Sequence, residues 1–309
     1  MTVDLSVTLA GIHFPNPVLC ASGPLGHGRE VAGVYDLQAF GGFTTKSITL
    51  EPREGNPRPD VVEVEGGWLN SVGLKNPGLA AFLTKDLPFL CTLGIPILAS
   101  LAGHSVQEFC TLAHWLDEAP GVAGLELNTS CPNVADGLYF GTDPGRLHRL
   151  VGAVRRVTRK PLFVKLTPNV ADIVTLARAA VDAGADGLSL VNTLPAMAID
   201  VHTRRPRLGG ITGGLSGPAL RPVAVRAVFE VARAVSVPLI GIGGITRAEH
   251  AVEFFLAGAS AVAIGSANLT NPRAVHEILE GLREYLASQG LRSLRDLVGA
   301  LEVPDAAPA

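Results

Sequence analysis

Short apolar runs of four residues recur along the chain at 18–21, 42–45, 97–100, 124–127, 162–165, 188–191, 239–242 and 261–264. Runs this short, with little polar alternation, read as strands buried on both faces, as in parallel sheets. Between the later runs the period changes. Residues 151–157, 173–181, 223–235 and 248–256 place apolar side chains three and four apart, which is the spacing of one helix face. Two of these segments close alike, in Asp182-Ala183-Gly184-Ala185 and Leu256-Ala257-Gly258-Ala259, each leading into the next run. Gly184 and Gly258 therefore read as helix C-caps, and the echo suggests repeated βα units. Eight strands alternating with helices predict an α/β fold, a (β/α)8 TIM barrel, with a doubly wound open sheet as the alternative. Ahead of the first run, residues 5–9 and 12–14 flank Ala10-Gly11 and predict an N-terminal β-hairpin that caps the fold.

Two connections are too long for simple loops. Residues 51–72 follow the second run, and residues 194–215 follow the sixth with a predicted hairpin of 198–201 against 206–208. Long ordered loops over the C-terminal face of a barrel often form lids. No compositional break divides the chain, so residues 1–303 read as a single domain and 304–309 as a disordered tail.

Composition narrows the function. Of 309 residues 47% are hydrophobic and 17% charged, with a net charge of -3 and no basic stripe, which argues against a nucleic-acid partner. No apolar run approaches the roughly 18 residues of a membrane span. The opening residues carry Asp4 and lack the basic-then-apolar order of a signal peptide. Cys20, Cys91, Cys110 and Cys131 are scattered without a C-x-x-C pair, so no zinc or iron–sulfur site is expected, and metal ligands are none. Thiols without a disulfide framework fit a reducing, cytoplasmic setting.

Reacting groups in a barrel stand past the carboxyl ends of the strands. There the sequence offers Ala21-Ser22-Gly23, Lys46-Ser47, Ser100, Asn128, Lys165, Asn192-Thr193, Gly243-Gly244 and Gly265-Ser266. Strand ends are polar in any barrel, but the glycines after the seventh and eighth strands are more telling. A phosphate commonly binds there on backbone N–H groups. Gly213-Gly214-Leu215-Ser216-Gly217 adds a third glycine loop, against a plain alternative of turn chemistry. Lys46 and Lys165 end apolar strands and call for an anionic partner, or serve as Schiff-base lysines of a barrel aldolase. Asn70, Asn128 and Asn192 offer paired amide donors and acceptors, which suit an imide-like heterocycle. The fourth strand runs into Asn128-Thr129-Ser130-Cys131-Pro132-Asn133, a loop whose cysteine reads alone as either a reacting group or an ordinary turn residue.

Taken together, these segments with Leu69-Asn70-Ser71-Val72-Gly73-Leu74 and Phe140-Gly141-Thr142-Asp143-Pro144 resemble the class 1 dihydroorotate dehydrogenases, most closely class 1B, over about residues 5–282. The resemblance implies oxidation of (S)-dihydroorotate to orotate in pyrimidine biosynthesis, with FMN as cofactor. Cys131 would take the proton from C5 while the C6 hydride passes to flavin N5. Lys46, Asn70, Ser71, Val72, Gly73, Leu74, Asn128, Asn192 and Thr193 would hold the substrate. Ser22, Lys46, Ser47, Ser100, Asn128, Lys165, Val191, Gly217, Gly243, Gly244, Gly265 and Ser266 would hold FMN, with Lys165 stabilising its anionic reduced form. Ser100 stands where the family usually has an asparagine, and residues 134–141 differ from common members. The resemblance further implies a homodimer joined by a subunit carrying FAD and a [2Fe–2S] cluster, which passes electrons to NAD. Class 1A members use fumarate instead, and the pyrimidine-reducing dihydropyrimidine dehydrogenases typically have His where this chain has Asn133. A barrel that only binds its ligand is the remaining alternative.

Overall fold

The eight buried runs close on themselves. In the computed structural model, which describes residues 3–130 and 140–304, the first strands are β1 (Val7–Leu9), β2 (Ile12–Phe14), β3 (Val18–Cys20) and β4 (Gly42–Thr44). There follow β5 (Val61–Val64), β6 (Gly67–Asn70), β7 (Ile97–Leu101), β8 (Val122–Asn128), β9 (Leu162–Leu166) and β10 (Gly187–Leu190). The rest are β11 (Leu194–Ala196), β12 (Ile199–Asp200), β13 (Arg205–Pro206), β14 (Gly213–Ser216), β15 (Leu239–Ile242) and β16 (Ala261–Ile264). Strands β3, β4, β7, β8, β9, β10, β15 and β16 pair in that order, all in parallel, and β16 returns to β3. This is a closed (β/α)8 barrel, and it decides against the open sheet. Each expected strand is present, with its ends moved by at most two residues.

The outer layer comprises α1 (Leu79–Ala81), α2 (Leu87–Cys91), α3 (Val106–Glu118), α4 (Pro144–Arg155), α5 (Ile173–Asp182), α6 (Arg221–Ala232), α7 (Ala248–Leu256), α8 (Ala267–Thr270) and α9 (Ala274–Ser288). Leu176, Ala177 and Ala180 of α5 are buried, as are Ala224, Val228 and Val231 of α6, so each helix lays its three-and-four stripe on the barrel. Ser105, Asp143 and Asp172 cap α3, α4 and α5 by accepting from backbone N–H groups. Gly184 and Gly258 follow α5 and α7 with φ of 100° and 112°. After each, the next N–H returns to a helix carbonyl, Ala185 to Ala180 and Ala259 to Phe254. The connection from β3 to β4 has only two short 3-10 turns, Arg29–Val31 and Leu37–Ala39, in place of a helix.

The hairpin β1–β2 plugs the N-terminal end of the barrel. Phe14 is fully buried, and side chains at Gly42 and Gly124 would run into Phe14 and Ile12. The two long connections do more than cover the opposite end separately. They join in one antiparallel sheet, β11-β14-β6-β5, in which Gly214 pairs with Asn70 and Ser216 with Trp68. The hairpin expected at 198–201 against 206–208 is the shorter pair β12–β13, with Ile199 opposite Pro206.

Below the barrel, Asp117 accepts hydrogen bonds from Thr158 Oγ1 at 2.6 Å, Arg159 N at 2.7 Å and Lys160 N at 3.1 Å, joining α3 to the turn before β9. Burial raises the Asp117 pKa, but the bonds from Thr158, Arg159 and Lys160 together outweigh it and leave the pKa lowered. Asp117→Ala is expected to destabilise the protein by about 1–3 kcal/mol at neutral pH, measured by denaturant unfolding. A lowered native pKa gives stability that is present above the unfolded value of about 3.9 and is lost as pH falls through the native value. The gap between wild type and variant should therefore close in acid.

Candidate active site

The C-terminal ends of the strands and the four-stranded sheet above them enclose a cavity of about 490 Å³. Ser22, Lys46, Ser47, Asn70, Val72, Gly73, Leu74, Asn128, Lys165, Val191, Asn192, Thr193, Gly217, Gly243, Gly244, Gly265 and Ser266 all line it. Residues from seven of the eight barrel strands and from two distant connections thus meet around it. Two candidates stand back from it. Ser71 is buried behind the wall, where its hydroxyl accepts from Asn56 Nδ2 at 3.1 Å. Ser100 is fully buried, and its hydroxyl lies 3.1 Å from that of Ser47. Cys131, Pro132 and Asn133 lie outside the described residues.

A chain of polar contacts runs across the mouth. Ser100 meets Ser47, whose hydroxyl accepts from Asn128 Nδ2 at 2.9 Å. Asn128 Oδ1 accepts from Asn192 Nδ2 at 3.1 Å. That same amide nitrogen is 3.1 Å from the Ser130 carbonyl, and Asn192 Oδ1 accepts from Thr193 N at 2.9 Å. The two amides are therefore oriented, and the backbone is fixed up to Ser130, the residue before Cys131. A side chain at Gly141 would lie 2.6 Å from Ser130 Cβ, so the chain on either side of residues 131–139 meets at one point. Under the wall, Glu126 is buried on β8 and accepts from Ser189 Oγ at 2.8 Å.

Asn76 shapes the segment from Asn70 to Leu74. It donates to Thr49 Oγ1 and the Leu74 carbonyl and accepts from Gly78 N at 2.8 Å. These bonds hold Leu74 at φ 59°, a conformation costly for a residue with a side chain.

The charge of the cavity differs from that of the chain. Among the described residues, Lys46, Lys75, Lys165 and Arg58 line it against the single carboxylate of Asp60, whereas the whole chain carries -3. Burial is the largest influence on Lys46 and lowers its pKa, despite the opposing pull of Glu30 and Asp60. A cationic cavity with amides at its centre is built for an anionic, hydrogen-bonding ligand.

Arg58, Asp60, Trp68 and Lys75 were not foreseen from the sequence. They sit on the long connection after β4, where a charged residue reads as a solvated one. Their only sequence signal is the length of that connection.

A family model described as dihydroorotate dehydrogenase matches residues 4–286. The chain belongs to the dihydroorotate dehydrogenase family. It is 54% identical over 303 residues to a protein of Pelobacter propionicus, covering 98% of this chain and all of the relative. A relative in Geotalea daltonii is 52% identical over 301 residues, 97% of this chain and 99% of its own length. One in Desulforudis audaxviator is 52% identical over 301 residues, 97% and 98% of the two chains. All three relatives are named dihydroorotate dehydrogenase B (NAD(+)), catalytic subunit. Membership makes the chain an oxidoreductase. No helix among the described residues is long and apolar enough to cross a membrane.

Proposed function

We propose that the chain is the catalytic subunit of an NAD-linked dihydroorotate dehydrogenase, oxidising (S)-dihydroorotate to orotate with FMN in its cavity. The observation that carries this reading is the joint lining of the cavity, with oriented asparagine amides, an excess of cations and a glycine cradle on one wall. The residues present fit FMN. Gly217, Gly243, Gly244 and Gly265 line the cavity together, and a side chain at Gly244 would strike the Gly217 carbonyl, so a close-packed glycine backbone is there to meet a phosphate. Bound FMN would supply the hydride acceptor.

The chain's own residues do the rest. Lys46 offers a positive charge to the substrate carboxylate. Asn70, Asn128 and Asn192 present amides to the ring's imide edge, and the contact chain through Ser47 and Ser130 keeps the last two from turning. Lys165 brings a second cation to the cavity wall from β9, suited to the flavin ring. Cys131 takes the proton from C5, which lies next to a carbonyl and is acidic enough for a modest base.

The electrons must then leave the chain. Its four cysteines show no cluster spacing and it has no nicotinamide fingerprint, so NAD needs a partner subunit, which we assign as a flavoprotein with FAD and a [2Fe–2S] cluster. The assembly would be built on a homodimer of this chain in the cytoplasm. Alone, the chain should reduce artificial dyes with dihydroorotate and be inert with NAD, and adding the partner should confer NAD reduction. Anaerobic turnover assays with NAD and with fumarate test this. Fast fumarate turnover without a partner would instead make the chain a class 1A enzyme.

A further inference from the structure

Behind Gly243 and Gly244, two turns are tied together by one imidazole. The first turn starts at Gly217 and runs through the short helix Pro218–Leu220 to Arg221, which opens α6. The second leaves β15 at Gly243 and reaches Thr246, just before α7. His250, in the first turns of α7, is only 6% exposed. Its Nε2 lies 2.6 Å from Arg221 Nη1, and its Nδ1 lies 3.1 Å from Thr246 Oγ1. One side chain therefore bridges both turns.

These contacts select a tautomer. A guanidinium only donates, so Nε2 must offer a lone pair and Nδ1 must carry the proton, given to the Thr246 hydroxyl. The Thr246 N–H also lies 3.3 Å from Nδ1. A lone pair there would place a proton on Nε2 against the guanidinium at the shorter distance, so the hydroxyl contact is the one that holds. Arg221 is further anchored by Glu253, at 2.8 Å. There is no slack between the turns. A side chain at Gly244 would lie 2.6 Å from the Gly217 carbonyl and 3.0 Å from Arg221 N.

We propose that neutral His250 is a positioning residue for the phosphate of the flavin nucleotide, holding the Gly217 turn and the Gly243 turn at the spacing in which their backbone N–H groups face one anion. The inference rests on the flavin reading above. Protonation would remove the lone pair that Arg221 uses and set two cations in contact. Burial, then Arg221 and Arg247, disfavour that protonation, and Glu253 and Glu249 favour it; the balance keeps the pKa below its ordinary value. The clamp is thus intact at neutral pH and lost in acid, below about pH 6.5.

The test is FMN affinity. Holoprotein is diluted and the released flavin is read by its fluorescence, from about pH 8 to about pH 5, for wild type, His250→Ala and His250→Asn. The alanine variant should bind FMN about tenfold or more weakly near neutrality, from the loss of a charge-assisted hydrogen bond. The asparagine variant should recover most of the affinity, because its amide can donate to Thr246 and accept from Arg221. Acidification should weaken wild type more than the asparagine variant, whose profile keeps only the ionisation of the FMN phosphate, near pH 6. Equal affinities for wild type and His250→Ala at every pH, or superimposable profiles for wild type and His250→Asn, would overturn the positioning role and leave the flavin reading intact. If His250→Ala does not fold, the comparison of the other two profiles decides. Failure of the wild-type chain to bind FMN at all would overturn the flavin reading and this inference with it.

Discussion

Cys131→Ala is expected to slow anaerobic flavin reduction by dihydroorotate about 10²–10⁴-fold, the usual worth of a positioned base, while FMN and substrate still bind. The binding groups that the described residues place on the cavity wall, Lys46, Asn70, Asn128 and Asn192, are untouched by the change. What is lost is the acceptor for the C5 proton. A thiol has an ordinary pKa of about 8.5, close enough to neutrality to serve. Cys131→Ser should keep a little activity that rises with pH, since a hydroxyl is the poorer base. The other cysteines are the controls. Cys91 is exposed and Cys110 half-buried, whereas burial pushes the Cys20 thiol far up. Their replacement by serine should leave flavin reduction largely intact. Stopped-flow absorbance of the flavin reads all of these variants, and unchanged bleaching in Cys131→Ala would rule out the role.

Gly244→Ala is expected to weaken FMN binding roughly 10²-fold or more. The residue sits at φ 68°, where a side chain costs about 1–2 kcal/mol. The new Cβ would also stand 2.6 Å from the Gly217 carbonyl and 2.8 Å from Arg221 Cβ, so the two turns would have to part. The strain falls on the free and the loaded protein alike, so it is the parting of the two turns that weakens binding, by the roughly 2.7 kcal/mol that a hundredfold change in affinity represents. Gly33→Ala is the control, since nothing lies within 4 Å of a Cβ there. Dissociation constants from flavin fluorescence check both. Wild-type affinity in Gly244→Ala would mean that the phosphate lies elsewhere.

The barrel was legible because each of its strands is a local signal. Four apolar residues in a row, such as Ala261-Val262-Ala263-Ile264, have only one economical place in an α/β protein, and Gly184 and Gly258 mark where helices must stop. The strand ends then followed, and with them most of the cavity wall. The sheet over the mouth was not legible. Asn70 and Gly214 pair across 144 positions, and neither Gly67–Asn70 nor Gly213–Ser216 shows a periodicity that names its partner. Ser71 stands behind the wall because Asn70 and Val72 on either side of it face the cavity, whereas Ser100 is short and its hydroxyl ends on that of Ser47. Lys75 and His250 carry no motif or spacing in the sequence that sets them apart. Only the fold shows that one faces the cavity and the other bridges two turns.

The most direct measurement of the central claim is to mix purified, FMN-loaded chain with dihydroorotate under anaerobic conditions, with no other acceptor present. The flavin's visible absorbance should bleach, with orotate formed in an amount equal to the flavin. A flavin that stays oxidised, or a colourless chain that cannot take up FMN and is instead trapped by borohydride on Lys46 or Lys165 with a carbonyl substrate, would contradict it.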